Sequence, residues 1–467
     1  LPEHVVGVVS ICGVQFHLFP AVLSTMIRSS EFRTEAEIGL KSPTSSRSVV
    51  HPDDLFRTSA TTLCEMNGNH LATSRLFETT PRIEDFKEIC SQTTDKASYP
   101  LSSRIEKNIP IYDITTLDHL NGELTTCLQD EWHNALNTGP GIVVLKGMYH
   151  PTHHGPTLTA TTEAFAHIIA QERRTATKKG DHFAASGKND RIWNSFSKHA
   201  LLDPRSFVAY YSNPWLRLIA ESWLGPAYRI TAQVNIVNPG GAAQESHRDY
   251  HLGFQAGTTT ARFPRTLHLA SQYLTLQGAV AHSDMPACSG PTRFLPFSQC
   301  FEPGYLAWRR EEFRAFFQEN YVALPLELGD GVFFNPAVFH AAGANEMAPE
   351  DGPGGGFQRK ANLLQISCAF GKTMESIDTV PIVERCWGDM VRRWEEAGGR
   401  LDAELEALVM AVADGYPFPT NLDRRPPAPS GMAPESEQEI VLRGLKEGWG
   451  VDRVVEELKQ MKKDSSA

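Results

Sequence analysis

Apolar and polar residues alternate between Arg229 and Asn238: Ile230, Ala232, Val234 and Ile236 are apolar, while Gln233 and Asn235 are polar. A period of two marks a β-strand with one face in the core. The half-polar second face suits the lining of a barrel that holds a ligand. Short runs of the same kind recur downstream between Gly and Pro turns. Residues 266–277, 292–296, 321–328, 331–335 and 361–370 read as strands, with a helix inserted at 301–320. Upstream, order begins at 109–114, and 139–147 is a continuous apolar run bounded by Gly and Pro, which reads as a buried strand. Helical periodicity covers 117–136, 159–171 and 206–224, the last through Phe207, Tyr210, Leu216, Ile219 and Trp223. Beyond Thr379 the period is helical again, over 382–397, 401–413, 436–447 and 451–462. Ser436 with Glu439 three residues later forms a capping box.

Many short strands with Gly/Pro turns, flanked by helices, predict an α+β fold. Its core is a double-stranded β-helix (jelly-roll, cupin-like) over 110–380, followed by a helical C-terminal extension over 381–467. Residues 28–109 are rich in Ser, Thr and charge with weak periodicity, and 42–48 reads as loop. Residues 1–109 are therefore expected to form a poorly defined, partly disordered N-terminal extension. Within it 5–27 is rather apolar and fits a targeting segment, an anchor or a local hairpin. No later stretch is apolar over a bilayer's length.

A 41% apolar fraction in 467 residues supports a substantial core. The net charge of −11 without a long basic run excludes nucleic acid as the expected partner. The 8 cysteines are scattered with no CxxC pair, so neither a zinc ribbon nor a disulfide framework is indicated. A reducing compartment, the cytoplasm, is the simplest expectation; the alternative is an organelle, if the N-terminal segment is a targeting sequence.

Candidate chemistry lies in the histidines. His-x-Asp occurs twice, at His247-Arg248-Asp249 and His282-Ser283-Asp284. Residues two apart on a strand point the same way, so either pair could share a metal. Context separates them: Asp284 precedes Met-Pro and a Cys-Ser-Gly-Pro turn and reads as a solvated loop, whereas His247 follows the half-polar strand and Gly240-Gly241. A third ligand, His340, is expected from a facing strand. Two neutral imidazoles and one carboxylate on one face of a metal leave positions open for a co-substrate and O2, the signature of non-haem Fe(II) oxygenases. His251 reads as structural or as support for a ligand. If 2-oxoglutarate fills the open positions, its far carboxylate calls for a guanidinium fork. The first basic residue after His340 is Arg359, expected on a strand adjacent to the one delivering His340. The alternative is that Arg359 and Lys360 decorate a strand end. Phe254, Tyr250 and Trp193 read either as pocket or as core.

Several stretches, in order, resemble the phytanoyl-CoA dioxygenase family of Fe(II)/2-oxoglutarate oxygenases. They are 139–147; 233–240 leading to His247-Arg248-Asp249; 284–298, which ends in Gly290-Pro291 and Pro296-Phe297-Ser298; 329–334 leading to His340; and Arg359-Lys360-Ala361. The resemblance covers roughly 110–375. It implies that His247, Asp249 and His340 are the catalytic iron ligands, that Arg359 binds the C5 carboxylate of 2-oxoglutarate, and that Gln233 helps seat that co-substrate. It implies a dioxygenase using Fe(II), 2-oxoglutarate and O2 to hydroxylate an unactivated C–H of a small organic or lipid-like metabolite, with release of succinate and CO2. The partner is then a small molecule, not a membrane, and the C-terminal helices are a candidate homodimer surface. Two departures stand out. The spacing from His340 to Arg359 exceeds the family's usual one, through a Gly/Pro-rich insertion at 345–356. Ala342 replaces a hydroxyl that relatives often carry, which removes one hydrogen bond to the co-substrate. Two other readings stay open: a cupin-like metalloenzyme that does not use 2-oxoglutarate, and a catalytically silent homologue that serves as a binding module.

Overall fold

The computed structural model describes residues 7–11, 14–18, 74–117, 122–175, 189–348 and 356–467. Two units separate at Ala72/Thr73. In the first, β1 (Gly7–Ile11) and β2 (Val14–Leu18) form an antiparallel hairpin in the apolar 5–27 stretch. The loop expected at 42–48 lies outside the described residues. Among the described residues no helix is long and apolar enough to cross a membrane.

The second unit carries β3 (Arg104–Glu106), β4 (Ile109–Asp113), β5 (Ile142–Lys146), β6 (Asn189–Ile192), β7 (Arg229–Val237), β8 (Thr275–Ala281), β9 (Thr292–Leu295), β10 (Val322–Ala323), β11 (Gly331–Phe334), β12 (Phe339–Ala342) and β13 (Arg359–Ser367). Eight of them form one sheet in the order β3-β4-β5-β11-β8-β13-β7-β6, antiparallel throughout except at β4–β5. The other three form a small sheet in the order β10-β9-β12. The molecule is thus mixed α/β with a large, mostly antiparallel sheet.

Register explains why one face of this sheet is polar. β13 pairs with β7 from Arg359↔Val237 to Ser367↔Arg229, and with β8 through Leu363↔Ala279 and Gln365↔Gln277. Opposite residues share a face. Gln233 and Asn235 therefore join Arg359, Leu363, Gln365, Ala279 and Gln277 on one side. The alternate residues Ile230, Ala232, Leu364 and Ile366 enter the main core with the helices. Between the sheets, Phe294 and Phe334 meet at 5.0 Å.

Several elements differ from the sequence expectation. Residues 266–277 divide into a helix, Arg265–Gln272, and the start of β8. Pro264 sits at the N-cap of that helix, and its exposed Leu267 and Leu269 mimic strand alternation. The 206–224 helix breaks into Pro204–Tyr211 and Pro214–Leu224, because Asn213 caps the backbone N–H of Trp215 and Pro214 opens the second helix. The 301–320 helix likewise divides into Gly304–Ala307 and Glu311–Asn320. Of 321–328 only Val322–Ala323 pairs as a strand, with a lone bridge at Leu326↔Met285.

The second unit spans Thr73–Ala467. Helix Ile83–Cys90 fully buries Phe86 among Phe301, Phe313 and Phe339, which the polar composition around it concealed. The C-terminal helices Thr379–Glu396, Ala403–Val412, Glu437–Lys446 and Val451–Ser465 share one core with the helices of 195–224, and the Ser436/Glu439 capping box forms.

Candidate metal centre

After the Gly240-Gly241 turn the chain runs beside β12. The Gln244 N–H donates to Ala342 O at 2.9 Å. His247 and His340 exchange both backbone hydrogen bonds, at 2.9 and 3.1 Å, as a single isolated bridge. The Asp249 N–H already turns to Pro336 O at 3.1 Å. His247 therefore sits on no regular strand, and His340 reaches it as a hydrogen-bonded neighbour rather than from a facing strand. The pairing sets the two rings 4.4 Å apart.

Each ring is fixed from behind. His247 Nδ1 lies 2.8 Å from Glu245 O, and His340 Nδ1 lies 2.9 Å from Val338 O. A carbonyl only accepts, so each Nδ1 carries the proton and each Nε2 presents a lone pair. Those Nε2 atoms lie 3.7 and 3.6 Å from the two carboxylate oxygens of Asp249. One donor atom from each of the three residues falls within 4.8 Å of the others. Gln277 Nε2 donates to Asp249 Oδ2 at 2.8 Å and orients the carboxylate. Burial pushes His247 below its ordinary pKa, against the pull of Asp249. Burial alone would raise Asp249, but the two histidines and Gln277 outweigh it and hold the carboxyl well below its usual range. Two lone-pair imidazoles and one carboxylate fit a divalent iron-type ion with further positions open. Among the described residues no other such group of metal-ligating side chains forms.

Arg248 points away from the metal donors. Its Nη2 donates to Ser298 O and Phe301 O at 2.5 and 2.9 Å, and the guanidinium lies between the Tyr305 and Phe339 rings at 5.1 and 5.3 Å. Tyr305 Oη donates to Asp249 O at 3.1 Å. The metal segment is thus pinned on its far side.

The triad opens into a cavity of about 480 Å³ that also takes in Arg359, Gln233, Asn235, Phe334, Trp193, Phe254, Trp308 and Arg309. Arg359 belongs to the large sheet, between β7 and β8, and not beside β12 as expected. Strand crossings that the sequence does not encode locally put it there. Its side chain is buried and donates to Asn235 Oδ1 at 2.8 Å; its Nε has no acceptor, and no carboxylate among the described residues pairs with it. Burial, then the nearby Arg191, pushes its pKa down to about 10. Gln233 accepts from Arg191 at 2.8 Å and donates to Met374 Sδ at 2.8 Å. Ala342 lines the same cavity with no hydroxyl to offer.

Other candidates separate. Trp193 and Phe254 line the cavity. Tyr250 is buried, donates to Lys372 O and stacks on His251 at 4.0 Å, while His251 Nε2 meets Thr275 Oγ1 at 3.2 Å, a structural role. His282 is not in a solvated loop. It is buried at the end of β8 against Thr162 Oγ1 (2.9 Å) and Tyr210 Oη (3.0 Å), and burial, with His199 and Lys360 nearby, pushes its pKa down to about 3. Asp284 instead accepts from the Leu328 N–H at 2.9 Å. Sequence reasoning missed Gln277 and Arg309. Gln277 had a signal, as a lone amide in an apolar run; Arg309 had none.

Residues 139–347 match the profile of the phytanoyl-CoA dioxygenase (PhyH) family. That span includes all three residues of the candidate triad and ends before Arg359. No curated relative matches the chain. Similar solved structures include the epimerase SnoN in complex with Fe3+, alpha ketoglutarate and nogalamycin RO, at 17% identity and a TM-score of 0.36, covering 52% of this chain and 85% of that one. They also include the non-haem alpha ketoglutarate dependent carbocyclase SnoK from nogalamycin biosynthesis, at 17% identity and a TM-score of 0.36, covering 54% and 85%.

Proposed function

We propose that this chain, matching the phytanoyl-CoA dioxygenase family over 139–347, is an Fe(II)- and 2-oxoglutarate-dependent oxygenase that hydroxylates a small organic or lipid-like metabolite. The observation that carries this reading is a buried guanidinium without a carboxylate, Arg359, in the same cavity as a two-histidine, one-carboxylate triad. A buried cation left in that state calls for an anionic ligand. Alternation between sheets supports the double-stranded β-helix: β7, β8, β11 and β13 lie in the large sheet, while β9, β10 and β12 lie in the small one and the His247 bridge pairs with β12.

In this reading His247, Asp249 and His340 hold the iron, and Gln277 keeps the carboxylate turned toward it. Bound iron supplies the redox chemistry by which 2-oxoglutarate and O2 give succinate and CO2 while the substrate is oxidised. Arg359 receives the far carboxylate of 2-oxoglutarate through charge-assisted hydrogen bonds, and Gln233 lies on the same wall. Phe334, Ala279 and Leu363 give the inner surface an apolar part that excludes water from the reacting atoms.

The test loads the protein with Fe(II) and measures 2-oxoglutarate binding and succinate formation in air with ascorbate. Wild type is expected to form succinate, and Arg359→Met to lose about 10- to 100-fold in 2-oxoglutarate affinity. His247→Ala is expected to lose iron. Iron binding without 2-oxoglutarate binding would replace this reading by a cupin-like metalloenzyme of other chemistry. Binding of neither would leave a silent binding module.

A further inference from the structure

The cavity carries more positive charge than iron and 2-oxoglutarate require. Of its carboxylates, Asp249 is directed at the histidine pair and Glu245 pairs with Arg314 at 3.0 Å. Fe(II), Asp249, dianionic 2-oxoglutarate and Arg359 are together neutral. Of the other guanidiniums, Arg248 is held by the carbonyls of Ser298 and Phe301, and Arg191 donates to Gln233. Arg309 is likewise held by two carbonyls, but it shares the cavity lining with the apolar rings of Trp308 and Phe254.

Arg309 follows helix Gly304–Ala307 and is held rigidly. Its Nη2 donates to Gly253 O at 2.8 Å and Gln255 O at 2.7 Å, and the guanidinium lies 3.9 Å from the centre of the Trp308 ring. Its Nη1 is buried with no acceptor. No carboxylate among the described residues pairs with it. Burial and the like charge of Arg314 both push its pKa down. A guanidinium fixed by two carbonyls and an aromatic face, on the lining of the cavity and with no carboxylate partner, is preorganised for an oxyanion.

We propose that the primary substrate bears an oxyanion, a carboxylate or a phosphate, which Arg309 binds while Trp308 and Phe254 cover the adjoining apolar part. The word substrate rests on the oxygenase reading above; the anion site itself does not. The test measures calorimetric binding of phenylacetate, phenyl phosphate and neutral phenylacetamide. The protein is held under argon with Fe(II) and saturating 2-oxoglutarate, so that Arg359 is occupied. Wild type is expected to bind at least one anion about tenfold or more tighter than the amide, and the preferred anion separates carboxylate from phosphate. The affinity ratio falls to about one in Arg309→Met and stays in favour of the anion in Arg309→Lys, which keeps the charge. A wild type without anion preference, or a preference that survives Arg309→Met, overturns the proposal. Anion preference in a protein that does not bind 2-oxoglutarate keeps the site and removes the oxygenase reading. Binding of 2-oxoglutarate without anion preference does the reverse.

Discussion

Three contacts, two of imidazoles and one of an amide, decide what individual residues can do. Both histidines of the candidate triad are locked by backbone carbonyls behind them, which sets their tautomer. The carboxylate between them is set by one side chain, Gln277. Gln277→Ala is therefore expected to lower Fe(II) or Mn(II) affinity by about 10- to 100-fold, read by equilibrium dialysis. Unchanged affinity would mean that the histidines alone orient Asp249. Two other histidines, His282 and His199, make the opposite use of burial. His282 and His199 have pKa values pushed down from 6.5 to about 3 and about 4, chiefly by burial. The unfolded chain takes up these protons near pH 6.5; the native protein does not. Their contribution to stability is thus complete above about pH 6.5 and is lost as pH falls toward 3, at about 1.4 kcal/mol per pH unit for each group. His282→Gln, which cannot titrate, should flatten the dependence of urea-unfolding free energy on pH between 6.5 and 5. Equal slopes in variant and wild type would refute the buried, neutral state.

Elements place these residues by pairings that run across long stretches of sequence. The residues of the candidate triad could be picked out because His-x-Asp after a half-polar strand, and His340 after an apolar run, are local strings. Their relation was not: His247 meets His340 through one bridge, and Arg359 crosses to the other sheet. Helix Arg265–Gln272 was misread for a similar reason, since the environment that leaves Leu267 and Leu269 exposed is not written in their own spacing. The contact that holds the metal segment from behind was equally hidden. A Cβ at Gly304 would overlap the Arg248 guanidinium, which sits against that glycine. Gly304→Ala must therefore displace Arg248 from the Ser298 and Phe301 carbonyls, at a cost of about 1–3 kcal/mol, and iron affinity should fall with it. Gly257→Ala, where nothing lies within 4 Å, is the control and should stay within about 0.5 kcal/mol. Urea melts with and without iron distinguish the two.

At the scale of the whole molecule, the large sheet has two loaded faces. Leu363 and Gln365 line the cavity, while Leu364 and Ile366, which alternate with them, enter the helical core. That core extends into the last quarter of the chain: Val380, Trp387, Leu405, Leu408, Ile440 and Leu458 belong to the same cluster as Phe207 and Ile219. The helices expected to be an extension therefore form the back wall of the sheet that carries Arg359. Burying a large apolar side chain contributes about 1.5–3 kcal/mol, so those six alone supply about 9–18 kcal/mol of gross burial energy, which is large beside the margin by which a domain is stable. A chain ending at Asp378 is expected to lose its cooperative thermal transition and to aggregate, because helices Pro204–Tyr211 and Pro214–Leu224 would then expose the faces now covered. Leu408→Ala, a smaller lesion in the same layer, should cost about 2–5 kcal/mol. A truncated chain that melts cooperatively and binds iron as tightly as wild type would show that the sheet is supported without its helical back.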